Sequence, residues 1–246
     1  MRQKMLLYIS CFYLLLYSML DAQAVVQTKK YSPSTRYYLE RLLKDPTIPL
    51  AEIDTSKITD MSRLFQNSLR KDFTGIETWD VSNVKDMSYM FAGAKFFNQN
   101  IESWNVANVQ FMSGMFYEAR QFNQPLNGWD VSNVRFMFSM FLGAINFNQP
   151  LDSWNVKNVE AMGSMFYNAR KFNQDISQWN LAKIKNTRDM FHNAKMFNQD
   201  LESWNLAKLH NKEKMFFRSG MRTIPSWYQE EWRKEQELER LKRHFH

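Results

Sequence analysis

The sequence predicts an α/β fold, a repeat solenoid of about seven 25-residue coils. Each coil would hold a short parallel strand plus a short helix, and helices would cap both ends. Met-Phe pairs and Phe-Asn-Gln triplets recur every 25 residues through the middle of the chain. An uninterrupted period in this range is typical of solenoids. A tryptophan keeps the same interval at six positions: Trp79, Trp104, Trp129, Trp154, Trp179 and Trp204.

The repeat unit is numbered here from its tryptophan, which occupies place 1. Places 1 and 3 are apolar and place 2 is polar, an alternation that indicates a strand. Places 6, 9, 12, 13 and 16 are apolar and step by threes and fours, which indicates a short helix with one buried stripe. Strands of successive coils would pair in parallel about 4.8 Å apart.

The first residues resemble an export sequence. Residues 1–24 begin with basic side chains, continue with an apolar run and end on Ala22-Gln23-Ala24, a small-residue cleavage motif. We therefore predict a signal peptide over residues 1–24 and a secreted, periplasmic or cell-surface protein. An uncleaved anchor and lipidation at Cys11 are the alternatives. The apolar run is shorter than the ~20 residues of a membrane-spanning helix, which favours a cleaved signal over an anchor. No second hydrophobic span follows, so none is predicted in the mature chain.

The ends of the repeat need covers, because a solenoid exposes the apolar cross-section of its terminal coils. Residues 25–52 predict an N-terminal helical cap with Ser32 or Ser34 as its N-cap. The repeat solenoid is predicted over residues 53–225. Residues 226–246 predict a C-terminal capping helix that opens with a capping box of Ser226 and Gln229.

The asparagine of each Phe-Asn-Gln triplet follows a buried phenylalanine. We expect these asparagines to form a structural ladder, because inward-facing turns leave backbone groups that need hydrogen-bond partners. They are Asn98, Asn123, Asn148, Asn173 and Asn198.

No residue pattern indicates catalysis. The histidines lack metal-ligand spacing, and nucleotide-binding and hydrolase motifs are absent from the sequence. Carboxylates such as Glu102 and Asp152 recur at one place, and equal surroundings do not separate an acid from a base. The chain is predicted not to be an enzyme and to need no cofactor or metal. Its net charge of +7 is spread along the sequence, which argues against a nucleic-acid partner.

Two sets of side chains are candidates for a binding surface. Place 2 is always Asp or Asn, and three phenylalanines stand where other coils carry polar or small residues. A solvated surface and a docking surface are both consistent with such rows. The candidates are Asp80, Asn105, Asp130, Asn155, Asn180, Asn205, Phe111, Phe136 and Phe138.

The residues also resemble a family. The stretch Ile53-Asp54-Thr55-Ser56-Lys57-Ile58-Thr59-Asp60-Met61 is similar to the opening coil of BspA-type leucine-rich-repeat surface proteins of bacteria. The stretch Trp79-Asp80-Val81-Ser82-Asn83-Val84, followed by Met90-Phe91 and Phe97-Asn98-Gln99, resembles the recurring unit of that family. This resemblance implies a secreted or surface-attached protein that acts in adhesion or host contact, and it supplies no catalytic residues.

The sequence thus predicts an exported, non-enzymatic repeat protein with a surface for an extracellular protein or glycan. Two alternatives stay open. One is a structural, envelope-associated protein without a specific ligand, and the other is a polyanion binder.

Overall fold

The computed structural model describes residues 29–244. The predicted signal peptide and Cys11 lie outside this range. Two α-helices flank the repeat, α1 at Arg36–Leu43 and α2 at Gln229–His244. Three short 3-10 turns occur at Leu50–Glu52, Ile76–Thr78 and Ser226–Tyr228.

The predicted α/β class is wrong. Between α1 and α2 the described chain has stacked coils, but no coil contains a strand or an α-helix. Successive coils meet instead at isolated parallel bridges, all at place 8 of the unit. These bridges join Asp60 to Asp86, Asp86 to Phe111, Phe111 to Phe136, Phe136 to Ala161, Ala161 to Asn186 and Asn186 to Asn211.

Left-handed residues explain why places 9–16 do not form the expected helix. In the second coil, Tyr89 at place 11 has φ 58° and Gly93 at place 15 has φ 67°. A helix needs consecutive right-handed residues, and a left-handed non-glycine residue costs about 1–2 kcal/mol. The same two places have positive φ in every later coil, at Gly114, Glu118, Ser139, Gly143, Ser164, Asn168, Asp189, Asn193, Lys214 and Arg218.

Alternate N–H groups of this stretch bind the next coil. The N–H of Met87 donates to the carbonyl of Phe111 at 2.9 Å, and that of Tyr89 donates to Ser113 at 2.8 Å. Met90, the residue after Tyr89, does not bond to the next coil. Its N–H closes a tight turn to the carbonyl of Met87 at 3.2 Å. The apolar stripe is buried as it would be in a helix, but half of the backbone donors need a neighbouring coil.

The core consists of aromatic and methionine columns along the stack. Phe91 lies 3.7 Å from Phe97 of its own coil, ring centre to ring centre, and 5.9 Å from Phe116 of the next. Both pairs are nearly parallel, and Met87 and Met90 are completely buried beside them. Aromatic pairs add about 0.5–1.5 kcal/mol beyond their buried area.

The tryptophans connect each coil to the one before it. The indole Nε1 of Trp104 donates to the carbonyl of Ile76 at 3.1 Å, and Trp129 repeats this contact with Ile101. Trp227 comes 23 residues after Trp204, yet its Nε1 donates to Leu201 at 2.9 Å. The tryptophan series therefore continues past the point where the sequence period breaks.

The predicted asparagine ladder is confirmed. The N–H of Asn123 donates to Oδ1 of Asn98 at 2.9 Å, and the later triplets repeat this bond. The N–H of Arg222 ends the ladder on Oδ1 of Asn198 at 2.8 Å. These amides satisfy the backbone of the neighbouring coil, as buried turns require.

Helix α1 covers the first coil. Its N-cap is Thr35, not the predicted Ser32 or Ser34, and the Thr35 side chain accepts from the N–H of Tyr38. Leu39 is buried against the core, while Arg36 pairs with Asp60 of the first coil at 3.0 Å.

Helix α2 follows the last coil. Ser226 does not form the predicted capping box, because its N–H donates to Oε2 of Glu202 at 2.8 Å. The N–H of Met215 donates to the buried hydroxyl of Tyr228, which in turn donates to Glu235. Burial raises the pKa of the Glu235 carboxyl.

Candidate binding surface

Each coil has two surfaces with different chemistry. Places 8–18, here called the bridge segment, are residues 60–70, 86–96, 111–121, 136–146, 161–171, 186–196 and 211–221. Together they carry eleven Lys and Arg against five Asp and Glu. The stretches between them are called the amide segments, and they carry seven Lys and Arg against ten Asp and Glu. They are residues 71–85, 97–110, 122–135, 147–160, 172–185 and 197–210. The basic character of the chain is thus concentrated on the bridge segments.

The polar side chains of the amide segments mostly bind the protein itself. Asn108 Nδ2 donates to the carbonyl of Ser82 at 2.7 Å, and Asn133 repeats this bond to Ala107. Gln174 Nε2 donates to the carbonyl of Asn148 at 3.1 Å. These groups are already used in joining coils.

The predicted row at place 2 lies on the amide segments, and all six side chains are exposed. In five of them Oδ1 accepts the N–H of the residue two positions later, a local turn that Asp and Asn form equally. This local role explains why only these two residue types occur there. The five are Asp80, Asn105, Asp130, Asn155 and Asn180.

Asn180 and Asn205 also line a shallow groove at the last two coils. The groove has a volume of about 510 Å³, and Leu181 and Leu206 form part of its apolar wall. The row at place 2 therefore meets an apolar surface only near the C-terminal end of the stack.

The three candidate phenylalanines lie on the bridge segments. Phe111 and Phe136 are half-buried and stack at 5.7 Å with their planes 3° apart. The Arg135 guanidinium lies 5.5 Å from the centre of the Phe136 ring. Phe138 is 42% exposed and covers the α-carbon of Gly163 in the following coil. The structure brings the first two together and leaves the third open to solvent.

A larger groove, not predicted from the sequence, crosses the bridge segments of the first three coils. Its volume is about 930 Å³, and its walls include Tyr89, Phe96 and Tyr117. Phe96 is 37% exposed and Tyr117 is 38% exposed. We call this the aromatic groove.

Cations surround the aromatic groove. Arg63 lies 5.1 Å from the Tyr89 ring centre, and Lys71 lies 5.8 Å from that of Phe96. Lys95 and Arg120 are exposed and line the groove directly. Such positions over ring faces stabilise a cation by about 0.5–1 kcal/mol at exposed sites.

Two of the groove's rings, although not the groove itself, could have been noticed in the sequence by comparing coils. Phe96 extends the Phe-Asn-Gln triplet to Phe-Phe-Asn-Gln, and Tyr117 follows Met-Phe where the second coil has Ala92. The sequence pattern did not bring the two residues together, because Tyr117 occupies place 14, inside the predicted helix, and Phe96 occupies place 18, beyond its end. The left-handed residues Tyr89 and Glu118 instead set the direction of the backbone on either side of the groove.

A polar groove of about 610 Å³ lies on the amide segments of the middle coils. Glu160 there pairs with Arg135 at 2.5 Å and with Lys185 at 2.6 Å. Hydrogen bonds from Lys185 and Arg135 lower the pKa of the Glu160 carboxyl to about 2. This cluster joins three coils through charge.

Over residues 29–244 no group of three or more His, Cys, Asp or Glu side chains is placed to hold a metal ion. Within the same residues no helix is both long and apolar enough to cross a membrane.

Comparison with known proteins gives one family. The family described as "Mycoplasma protein of unknown function, DUF285" matches residues 40–144 and again residues 125–227. The chain belongs to the DUF285 family. The two tandem matches show that this DUF285 chain is a repeat domain, and the second match ends at Trp227, the last residue of the tryptophan series. No curated protein and no solved structure matches it.

Proposed function

We propose that the chain is an exported, non-enzymatic repeat protein that binds an extracellular protein or glycan through the bridge segments of its second to fourth coils. One observation carries the proposal. Aromatic side chains stay exposed there, at Phe96, Tyr117 and Phe138, although the core buries the other repeated phenylalanines. Exposed aromatic residues beside cations are typical of recognition surfaces.

The contrast with the amide segments supports this choice of surface. Most amide-segment polar groups already have partners in neighbouring coils, such as Asn108 with Ser82. Lys95 makes no ion pair or hydrogen bond to the residues that the structure describes. Lys95 and the exposed rings are available to a ligand without breaking contacts that hold the stack.

Export rests on the sequence. Residues 1–24 have the composition of a signal peptide, and the coil sequence resembles BspA-type surface proteins. Cell fractionation together with intact-mass measurement tests this part. A released chain whose mass corresponds to residues 25–246 supports it, and an intact chain retained in the cytoplasm contradicts it.

Two triple variants test the binding surface, with residues taken from the same places of other coils so that each fits the fold. The first variant changes the bridge segments. Its substitutions are Phe96→Gln, Tyr117→Ala and Phe138→Ser.

The matched control changes the predicted row at place 2 on the amide segments. Its substitutions are Asn105→Asp, Asn155→Asp and Asn180→Asp. Binding of the full chain is measured against purified extracellular glycoproteins and their deglycosylated forms.

We expect the bridge-segment variant to lose saturable binding by at least about tenfold and the control to keep it. If only the control variant loses saturable binding, the binding surface is the row at place 2. No saturable binding by the wild-type chain would favour a purely structural role.

A further inference from the structure

We infer that the aromatic groove binds an acidic oligosaccharide, a short glycan that carries carboxylate groups. This inference rests on the proposed function and names its ligand class. The groove combines open ring faces, side-chain amides and an excess of cations, and each of these fits one part of such a ligand.

The rings fit the apolar faces of sugars. Phe96 and Tyr117 are each more than a third exposed, come from adjacent coils and line one concave surface of about 930 Å³. Tyr89 lines the same surface, but its ring packs on Gly114 and lies under the Arg63 guanidinium, so the two exposed rings are the ones open to a sugar. A sugar ring has a face of C–H groups that can lie flat on an aromatic ring and remove apolar area from water. A groove of this size holds several sugar rings, because small-molecule sites have volumes of roughly 300–1,000 Å³.

Amide side chains fit the hydroxyl groups. Gln66, Asn67 and Gln121 line the same groove. An amide offers both donors and an acceptor, which matches the hydroxyl groups of a sugar. Gln66 and Gln121 make no side-chain hydrogen bond to the described protein, so these groups are available.

The charges select an acidic ligand. Lys95 and Arg120 line the groove, and Arg63 and Lys71 lie over two of its rings. The acid among the lining residues is Glu118, and it is already paired with Arg120 at 2.9 Å. Because Arg120 and Glu118 neutralise each other, Lys95 is the lining cation that a carboxylate can bind by charge-assisted hydrogen bonds, which are about twice as strong as neutral ones.

The backbone argues against an extended peptide as the ligand. The N–H of Gly93 donates to Tyr117 and that of Glu118 donates to Leu142, each at 2.6 Å. A peptide that adds as a strand needs free backbone donors and acceptors along an edge. The groove offers side chains instead, which favours a ligand recognised by rings, hydroxyl groups and charge.

The experiment measures binding of the full chain by titration calorimetry. The probe is a hyaluronan hexasaccharide, which carries carboxylates and no sulfate. The comparison probes are a neutral chitin hexasaccharide and a poly-glutamate peptide of similar charge.

Two single variants probe the groove, and both use residues found at the same place of another coil. Tyr117→Ala introduces the residue of the second coil, and Lys95→Ile introduces that of the fourth. Asn155→Asp on the amide segment is the control.

We expect saturable binding of the hyaluronan probe, with at least about tenfold weaker binding for Tyr117→Ala and about fivefold for Lys95→Ile. The control should bind as the wild-type chain does, and the neutral probe should bind at least about fivefold more weakly. Circular dichroism checks that each variant folds.

Three results would overturn the inference. Equal binding of the neutral probe would remove the role of charge. Equal binding of poly-glutamate, lost in the same variants, would make the site a general anion site. No binding of any glycan, while the bridge-segment variant still loses glycoprotein binding, would refute the ligand class and leave the proposed function standing.

Discussion

The bridge segments and the amide segments are parts of the same coils, yet their polar groups have different roles. In the bridge segments the backbone joins the coils, as where Tyr89 N–H donates to Ser113, and several side chains stay open to solvent. In the amide segments the side chains join the coils, as where Asn148 N–H donates to Oδ1 of Asn123. Because several bridge-segment side chains are not needed for stacking, their residue types can differ between coils and can suit a ligand.

This difference accounts for the sequence variation within the repeat. Place 20 of the amide segment is Asn in five successive coils, whereas place 14 of the bridge segment is Ala, Tyr, Leu, Tyr, His and Phe in turn. The first place is fixed by hydrogen bonds to neighbours. The second has no such constraint, and there the chain carries Tyr117 of the aromatic groove.

The largest change in the free energy of unfolding should distinguish a core residue from a neighbouring residue on the bridge surface. Phe116 is completely buried and Tyr117 is 38% exposed. Phe116→Ala should lower the free energy of unfolding by about 3–5 kcal/mol, because it leaves a cavity in the ring column. Tyr117→Ala should lower it by less than about 1 kcal/mol. Urea denaturation measures both, and equal losses would show that Tyr117 belongs to the core.

A smaller effect should distinguish an amide side chain that joins coils from one that does not. Oδ1 of Asn148 accepts from the N–H of Asn173 at 2.9 Å and from Gln174 at 3.0 Å. Asn148→Ala should cost about 1–3 kcal/mol, because it leaves the N–H of Asn173 without its acceptor and removes one of the two bonds of Gln174. Gln121→Ala in the aromatic groove is the control and should cost less than about 0.5 kcal/mol. If Asn148→Ala leaves the free energy of unfolding unchanged, the ladder adds no stability.

Glycine substitutions should sharpen the account of the missing helix. Ser164 is left-handed with φ 55°, whereas Ser113 has no positive φ. Ser164→Gly should raise the free energy of unfolding by about 0.5–1 kcal/mol, because it removes left-handed strain that exceeds the entropic cost of glycine. Ser113→Gly should lower it by a similar amount. Thermal melting compares the pair, and a loss in both would contradict the left-handed assignment.

The smallest effect is expected from the ion cluster of the amide segments. The pKa of Glu160 is lowered from 4.5 to about 2 in the folded chain. A lowered acid pKa stabilises the fold above the unfolded value and loses that contribution as the pH falls from about 4.5 toward 2. Glu160→Gln should therefore make the urea midpoint depend less on pH between about 2 and 4.5. Glu102→Gln, at an exposed carboxylate, is the control. An unchanged pH profile for Glu160→Gln would exclude the cluster as its cause.

The sequence was sufficient to predict the stacking, the buried columns and the asparagine ladder, because each depends on repeated residue types at fixed spacing. It failed at the secondary structure of places 9–16. Steps of three and four bury the same side chains in a helix and in a chain of tight turns. Gly93, Gly114, Gly143, Asn168 and Asn193 at left-handed places were the evidence in the sequence against a helix.

The candidate surface was predicted only in part. Phe111, Phe136 and Phe138 differ from the residues at their places, so comparison of coils could reveal them. The aromatic groove could not be derived that way, because its rings occupy different places of two coils. Tyr89, Phe96 and Tyr117 converge only when the path of the turns is known.

The tryptophan bonds and the asparagine ladder bonds share one direction along the stack. The donor, an indole Nε1 or a ladder N–H, belongs to the later coil and the acceptor to the earlier one, as with Trp104 and Ile76 or Asn123 and Asn98. A ribosome delivers the earlier coil first. Each coil that emerges thus finds acceptors on the coil made before it. In return it supplies the carbonyl groups that the bridge-segment N–H groups of that earlier coil need, as Phe111 does for Met87, so each added coil completes the hydrogen bonding of its predecessor.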